Sequence, residues 1–324
     1  MKSIVQGIFY SGARLFLMAV MLLIIVLLPV GGYSATPVPG QRTFSSPEEA
    51  RQALIGAAQT KDQNAMKAIF GPVLHELEPG DPVEQAAEFD HFVRHVLEGT
   101  EIVKQGDDKA TLVIGTRKWP FPVPIIKKGN SWHFDTEAGR EEILNRRIGR
   151  NELQAINVCR AYVDAQREYY AMPEPDGDQL PKYAQHMISS PGKKNGLYWP
   201  TAAGVKESPL GLLVAKAKEG GYMQKRNAGE HGPRPFHGYY FRILTQQGPR
   251  APGGKFSYII NGNMVAGYAL VAYPARWGVS GVMTFIVNQR GRVYQKNLGP
   301  KTAAIARKMK AYNPDLSWKL VEEQ

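Results

Sequence analysis

The sequence has a single cysteine, Cys159, so no disulfide can form within the chain. It also lacks a cysteine after the apolar run near its start, which excludes a lipoprotein anchor, and it contains no block of five like charges. No set of residues has the pattern of an established catalytic site. At 324 residues and 43% hydrophobic content, the chain can bury a core without such supports. We therefore expect a globular protein without a cofactor.

The first 35 residues have the pattern of an export signal. An uninterrupted apolar run covers residues 15–28, and small residues around Ser34 and Ala35 suit a signal peptidase. The run is short for a bilayer span, which needs about 20 residues. We expect residues 1–35 to be cleaved; the alternative is an anchor in the inner membrane, which would keep the protein membrane-associated. Both outcomes predict a periplasmic or secreted protein.

A linker over residues 36–44 is expected to lead into a first domain over residues 45–138. Ser46 and Pro47 have the pattern of a helix start, with a serine cap and proline at the first helical position. The spacing of apolar residues continues this helix and predicts further elements. They are helices near 65–70 and 83–97 and strands over 110–115, 119–125 and 131–134.

The segment 119–125 is unusual because proline occupies every second position. Each proline lacks the N–H that a strand ladder would use, which predicts an edge strand or a polyproline-like segment. Side chains alternate between the two faces of an extended segment, so the apolar residues should all point inward. These residues are Trp119, Phe121, Val123 and Ile125.

The second domain, over residues 139–324, is expected to combine one long helix with an antiparallel meander. The helix is predicted over 140–171, either continuous or interrupted at Gly149, and a loop-rich region follows to about Pro235. Its predicted buried stripe is Leu153, Ile156, Cys159, Val163 and Tyr170, which makes Cys159 a core residue. The remaining predicted elements are strands over 239–245, 256–260, 264–272, 282–287 and 293–298 and a helix over 302–312. The fold class is therefore α+β, in two domains.

Charge is distributed unevenly between the two halves. Residues 36–150 contain 15 Lys and Arg against 17 Asp and Glu, a net charge of −2. Residues 151–324 contain 23 against 12, a net charge of +11. In an exported protein, such a surface favours anionic lipid, acidic polysaccharide or phosphate groups of the envelope. The alternative is that these cations only keep loops and helix faces in solution.

Several long motifs carry a resemblance to a known family. They are Ser46-Pro47-Glu48-Glu49-Ala50, Trp119-Pro120-Phe121-Pro122, Ile143 to Gly149, Tyr198-Trp199-Pro200, His237 to Arg242, and Ser280 to Phe285. In these motifs the chain resembles the exported bacterial proteins grouped as domain of unknown function 2950. The resemblance implies a periplasmic or secreted protein and no catalytic residues. At the level of fold, the first half resembles nuclear-transport-factor-like and cystatin-like domains, and the second half resembles the globular part of type IV pilins.

Two groups of side chains could bind a metal ion. Glu88, His91 and His95 share one face of the predicted third helix, although a zinc site would lack a fourth ligand; the alternative is a solvated helix face. Three carboxylates surround a predicted turn and would suit calcium, but no later bidentate glutamate follows them. These are Glu174, Asp176 and Asp178. The alternative is a polar surface turn.

Nucleophilic catalysis has weak candidates. Ser280 lies in Gly278-Val279-Ser280-Gly281, one residue short of the nucleophile-elbow spacing and before a strand instead of a helix. A histidine from the loop-rich region could act as a general base if it met a carboxylate. The histidines considered are His186, His231 and His237.

These observations predict a non-enzymatic protein that binds an anionic or carbohydrate envelope component, or assists assembly of an envelope complex, with no specific nucleic acid as partner. The residues expected to contribute to its basic surface are Lys216, Lys218, Lys225, Arg226, Arg242 and Lys255. The alternative function is an envelope hydrolase with its site within residues 172–235. A third hypothesis, based on the pilin resemblance alone, is a structural partner in a pilus-like assembly.

Overall fold

The computed structural model describes residues 36–173, 180–202, 205–222 and 234–322. Residues Pro37–Gln324 form one compact unit with two hydrophobic clusters, one in each half of the sequence. Helices and antiparallel sheets are combined, which confirms the α+β class. Among the described helices, none has the length and apolar character needed to cross a bilayer.

Four helices precede the first sheet. They are α1 (Pro47–Thr60), α2 (Gln63–Phe70), α3 (Val73–Glu76) and α4 (Pro82–Glu98). Each of the three longer ones begins at a side-chain cap, as expected where the first backbone N–H groups lack partners. Ser46, Asp62 and Asp81 are these caps, and Pro47 and Pro82 follow two of them. The predicted start of α1 is thus confirmed, and α2 ends at Gly71 as expected.

The first sheet packs against these helices. Its strands are β1 (Thr100–Lys104), β2 (Lys109–Ile114), β3 (Trp119–Pro120), β4 (Ile125–Lys128) and β5 (Ser131–Phe134). The order is β1-β2-β4-β5, with β3 also paired to β2, and all pairs are antiparallel. Leu54, Val93, Leu112 and Phe134 are buried between the layers. Burial of such side chains supplies most of the stabilisation of this half.

The proline-alternating segment differs from prediction at one position. Phe121, Val123 and Ile125 are buried as expected, but Trp119 is 42% exposed. Trp119 begins β3 next to an exposed turn, and its ring lies under the guanidinium of Arg146, 4.2 Å from the ring centroid. The inward prediction for Trp119 is therefore wrong, because the sheet at this end is covered by one arginine side chain and not by the core.

Helix α5 (Thr136–Tyr170) has 35 residues and connects the two clusters. It is continuous at Gly149, where a side chain would meet open space, so the interrupted alternative is wrong. A glycine costs a helix only about 1 kcal/mol, and packing on both sides of the position outweighs this.

The buried stripe of α5 also departs from prediction at two positions. Ile156, Cys159 and Val163 are buried as expected, but Leu153 is 52% exposed and Tyr170 is 42% exposed. The stripe that the sheet covers is instead Asn151, Ala155, Val158, Cys159, Tyr162, Gln166 and Tyr169. These residues recur mostly at spacings of three and four, as on one face of a helix. Asn151 and Ala155 are buried in place of Leu153, and Tyr169 is buried in place of Tyr170.

The second half contains the remaining elements. They are β6 (His186–Ile188), β7 (Gly196–Tyr198), α6 (Gly211–Glu219), β8 (Tyr239–Leu244), β9 (Gln246–Gln247), β10 (Phe256–Ser257), β11 (Ile259–Ile260), β12 (Asn263–Met264), β13 (Ala269–Pro274), β14 (Met283–Asn288), β15 (Tyr294–Asn297), α7 (Thr302–Lys308), β16 (Ala311–Tyr312) and β17 (Lys319–Leu320). Several predicted strands are thus shorter or divided, and the closing helix ends before a strand. The predicted loop-rich region contains β6, β7 and α6.

The main sheet of this half has the order β17-β15-β14-β13-β8 and is antiparallel throughout. Helix α5 packs on β13 and β14, and α7 contacts β13. All six residues of β13 are buried, as expected for a central strand covered on both faces.

Candidate functional site

A buried polar cluster lies where α4, α5 and the start of β8 meet. Asp81, the buried cap of α4, accepts hydrogen bonds at Oδ1 from Val83 N (3.1 Å) and Glu84 N (3.3 Å). Its other oxygen, Oδ2, accepts from Gly238 N at 3.2 Å. One carboxylate therefore joins the first turn of a helix in the first half to the entry of a strand in the second.

Glu84 lies one turn further along α4 and is only 5% exposed. Neither carboxylate oxygen accepts a hydrogen bond, and the side chain faces Asn151 and Gly238. Burial, which disfavours the ionised form, raises the pKa of Glu84 to about 7. The Asn151 amide and the charge of Arg147 oppose this effect, and the negative charges of Glu88 and Asp81 add to it. Near neutral pH, Glu84 can therefore hold or release a proton.

Gly238 permits the close approach at this cluster. Its φ of 70° lies in the left-handed region, and a Cβ there would lie 2.6 Å from Asn151 Nδ2 and 3.1 Å from Glu84 Oε2. Asn151 Nδ2 donates to Ser280 O at 3.1 Å. The predicted site residues did not include Glu84, Asp81 or Asn151, because burial of an acid near the start of an amphipathic helix has no signal in the sequence.

The metal alternative for Glu88, His91 and His95 on α4 is not supported. Glu88 accepts hydrogen bonds from Arg147 Nη2 (2.7 Å) and Nε (3.1 Å) and forms an ion pair with Arg150. His95 instead has its Nδ1 at 3.1 Å from Glu98 Oε2. Within the described ranges, no three His, Cys, Asp or Glu side chains could hold a metal ion. Glu88 is unavailable because two guanidinium groups neutralise it. The calcium candidates Glu174, Asp176 and Asp178 lie outside the described residues.

His237 is the described candidate histidine whose charge interacts with that of a carboxylate, Asp81. Its backbone N donates to Tyr222 Oη at 3.2 Å, and the two rings are 5.2 Å apart. Burial lowers the pKa of His237, while the negative charge of Asp81 opposes that shift. Burial and the charge of Asp81 both raise the pKa of Tyr222. His186 lies exposed on β6, and His231 is outside the described residues.

Ser280 and Cys159 are both buried, and their contacts are those of structural residues. Ser280 is buried; its Oγ donates to Gly238 O at 2.9 Å and accepts from Arg276 N at 2.9 Å. Cys159 is fully buried, and burial raises the pKa of its thiol to about 12. A thiol with such a pKa is protonated at neutral pH and is a poor nucleophile, which confirms Cys159 as a core residue.

The predicted basic-surface residues lie on separate elements. Lys216 and Lys218 are exposed on α6, and Lys255 is exposed before β10. Arg242 on β8 is partly buried, and its Nη2 donates to Ala306 O (2.6 Å) and to Met309 O at the end of α7. Lys225 and Arg226 fall outside the described residues. Arg242 thus holds the end of α7 in place, whereas Lys216, Lys218 and Lys255 are exposed to solvent.

Ion pairing differs between the two halves. In the first half, carboxylates lie within 4.0 Å of Lys61, Lys118, Arg140, Arg146, Arg147 and Arg150. In the described part of residues 151–322, setting Lys182 and Arg234 aside, the cations in ion pairs are Arg167 and Lys206. The exposed cations without such a pair include several that the predicted set missed: Arg290, Arg292, Lys301, Arg307, Lys308, Lys310 and Lys319. The dense run of basic residues over 301–310 is the signal that could have identified some of them.

Comparisons with curated proteins and with solved structures find no match. The resemblances of the two halves to nuclear-transport-factor-like, cystatin-like and pilin folds therefore stay predictions. A family model matches residues 41–321, which includes both hydrophobic clusters and the junction at Asp81 and Glu84. That model is described as Protein of unknown function (DUF2950), and a match over most of the chain shows that this protein belongs to that family.

Proposed function

We propose that this protein is a non-enzymatic extracytoplasmic module whose basic second half binds an anionic or carbohydrate component of the cell envelope. The observation that carries the proposal is the net charge of +11 in residues 151–324, together with the exposed, largely unpaired lysines and arginines there. Unpaired surface cations remain available to anionic polymers or head groups, and they attract them over about one Debye length.

The compartment is part of the same proposal. The apolar run of residues 15–28, followed by small residues, has the pattern of a cleaved export signal, with an inner-membrane anchor as the alternative. Pulse labelling of the full chain in a bacterial host tests this: we expect a shorter, periplasmic product. An unprocessed chain recovered free in the cytosol would contradict it.

Retention on heparin, a sulfated polysaccharide, tests the basic half. The compact unit Pro37–Gln324 is used, so that the apolar run does not contribute. We expect retention at low salt and elution as salt rises, because screening weakens exposed charge pairs. The double variants Lys216→Gln with Lys218→Gln, and Lys308→Gln with Lys310→Gln, should each weaken binding by about thirtyfold at fixed salt, at about 1 kcal/mol per cation.

A matched control comes from the first half, where the double variant Lys104→Gln with Lys127→Gln removes two exposed lysines. Its elution should stay within experimental error of the unmodified protein. If all three double variants elute together, or if the unmodified protein flows through at low salt, the second half has no special affinity for polyanions and the proposal is wrong.

A hydrolase remains the second candidate because the charges of His237 and Asp81 interact, and Gly238, next to His237, donates to Asp81 and approaches Glu84. A carboxyl with a pKa of about 7 is suited to proton transfer near neutral pH. Release of soluble fragments from purified envelope polysaccharide and peptidoglycan would support it, provided that Glu84→Gln abolishes release while the fold is retained. Equal release by both proteins would assign the activity to a contaminant.

A further inference from the structure

The turn before β17 presents a leucine entirely to solvent. Leu316 is 100% exposed, the highest value among the large hydrophobic residues that the structure describes. Its turn is held by hydrogen bonds from Trp318 N to Asp315 O (3.0 Å) and from Ser317 N to Asp315 Oδ1 (2.9 Å). Asn313 Oδ1 also accepts from Arg250 N at 2.9 Å. Leu316 is therefore presented by an ordered turn and not by a loose end.

Further apolar and aromatic side chains continue from Leu316 along the sheet edge. Trp318 is partly exposed, and Leu320 on the edge strand β17 is 40% exposed. Leu320 pairs with Tyr294 of β15, so their side chains share one face of the sheet. Residues 316, 318 and 320, with Tyr294, form what we call the apolar tip.

Two cations lie near the aromatic members of the apolar tip, at the outer limit of a cation–π contact. Lys296 Nζ is 5.9 Å from the ring centroid of Trp318 and donates to Ser317 Oγ at 2.6 Å. The guanidinium of Arg292 is 6.0 Å from the ring centroid of Tyr294. Lys319 is exposed on β17 itself.

The acid in the turn is Asp315. Its carboxylate accepts from Ser317, and these hydrogen bonds, with the charges of Lys296 and Arg250, hold the pKa of Asp315 below its usual value. The negative charge of Asp315 is thus offset by Lys296 and Arg250.

We propose that the apolar tip inserts into an anionic lipid bilayer, with Leu316 entering the acyl region and Lys296, Arg292 and Lys319 contacting head-group phosphates. An exposed leucine beside tryptophan, tyrosine and basic side chains matches the chemistry of the membrane interface, where aromatic rings lie at head-group depth and basic side chains reach the phosphates. The proposal rests on the proposed function and specifies its partner: a soluble polyanion would use the cations but would not require Leu316.

Vesicle co-sedimentation of Pro37–Gln324 tests this inference. We expect binding to vesicles of phosphatidylglycerol and phosphatidylethanolamine, and much less binding to phosphatidylcholine vesicles. Leu316→Ser should lower partitioning onto the anionic vesicles by about tenfold, since burying a leucine side chain is worth more than one factor of ten. Leu97→Ser, which removes a 49% exposed leucine in the first half, should leave it unchanged.

Heparin retention separates this inference from the broader proposal. Leu316→Ser should elute from heparin with the unmodified protein, because no charge is changed. If the unmodified protein binds heparin but not anionic vesicles, the inference is wrong and the proposed function stands. The same holds if Leu316→Ser binds anionic vesicles as well as the unmodified protein. If the protein binds neither heparin nor anionic vesicles, both are wrong.

Discussion

At the scale of single residues, Glu84 has an environment that disfavours the ionised carboxylate usual for glutamate at neutral pH. Its carboxyl is buried, with Arg150 Nη2 3.7 Å from Oε1, and burial raises its pKa from 4.5 to about 7. The folded protein therefore holds a proton that the unfolded chain releases between these two pH values. The contribution of Glu84 to the free energy of unfolding is therefore fully present below pH 4.5. It falls by about 2–3 kcal/mol as the pH rises to 7.

The variant Glu84→Gln should remove this pH dependence. We expect it to be more stable than the unmodified protein at pH 8, by about 2 kcal/mol, with the difference shrinking toward pH 5. Urea unfolding at both pH values, followed by circular dichroism, measures this. Other groups around Glu84 also titrate or carry charge: Asp81, Glu88, Arg147, Arg150, Tyr222 and His237.

Because His237 also titrates, the stability of the unmodified protein must be compared with that of Glu84→Gln at each pH. Because its folded pKa is lowered, protonation of His237 destabilises the protein as the pH falls below 6.5, which opposes the effect of Glu84. The difference between the two proteins, and not either curve alone, reports on Glu84. A difference that is constant from pH 5 to pH 8 would show that Glu84 does not take up a proton in this range.

At the scale of elements, Arg242 decides how α7 is held against the main sheet. Its Nη2 donates to the carbonyl oxygens of Ala306 and Met309 at the C-terminal end of α7, where Ala306 O also accepts from Met309 N at 3.2 Å. Arg242→Met should therefore lower the free energy of unfolding by about 1.5–3 kcal/mol, as for a lost hydrogen bond to a charged group.

The exposed Lys255 provides the comparison for Arg242. Lys255→Met removes one charge and should change the free energy of unfolding by less than about 0.5 kcal/mol. Both variants remove one positive charge. A difference between them in urea unfolding therefore reports the structural role of Arg242, while their elution from heparin compares the contributions of the two cations to ligand binding. Equal stabilities of the two variants would show that the contacts of Arg242 with α7 contribute little.

At the scale of the whole molecule, α5 makes the two hydrophobic clusters dependent on each other. Its N-terminal part carries Arg147, which binds Glu88, and its C-terminal part carries the core residues around Cys159. Glu152 Oε1 also accepts from Val282 N and Met283 N, both at 2.9 Å. We infer that the two halves unfold in one transition, even though the sequence predicts two domains.

Labelling of Cys159 tests this coupling. The thiol is fully buried in the second cluster, whereas Leu54 is fully buried in the first. Leu54→Ala should cost about 2–5 kcal/mol, and a coupled protein would label Cys159 at least about tenfold faster in mild urea. The exposed substitution Leu97→Ser is the control. An unchanged labelling rate in Leu54→Ala would mean that the halves open independently.

The chain itself predicts most of the local structure. The cap at Ser46, the stop at Gly71 and the burial of Cys159 follow from short-range patterns, and the structure confirms them. Prediction failed at residues whose burial depends on which other element covers them. Trp119 on β3 lies under Arg146 of α5, which the spacing of residues in either element does not indicate. Leu153 is exposed and Ala155 and Asn151 are buried, because the sheet covers the adjacent face of α5.

What the sequence by itself determined is the α+β class, the helix starts, the family and the excess of positive charge in residues 151–324, because composition and local spacing are sufficient for each. Only the tertiary structure decided that Glu84 is buried beside Asn151 and Gly238, and that Leu316 projects next to Lys296 and Trp318. The physical reason is that burial and pairing depend on contacts between residues far apart in the chain, such as Asp81 with Gly238, which are 157 positions apart, and no local pattern records them.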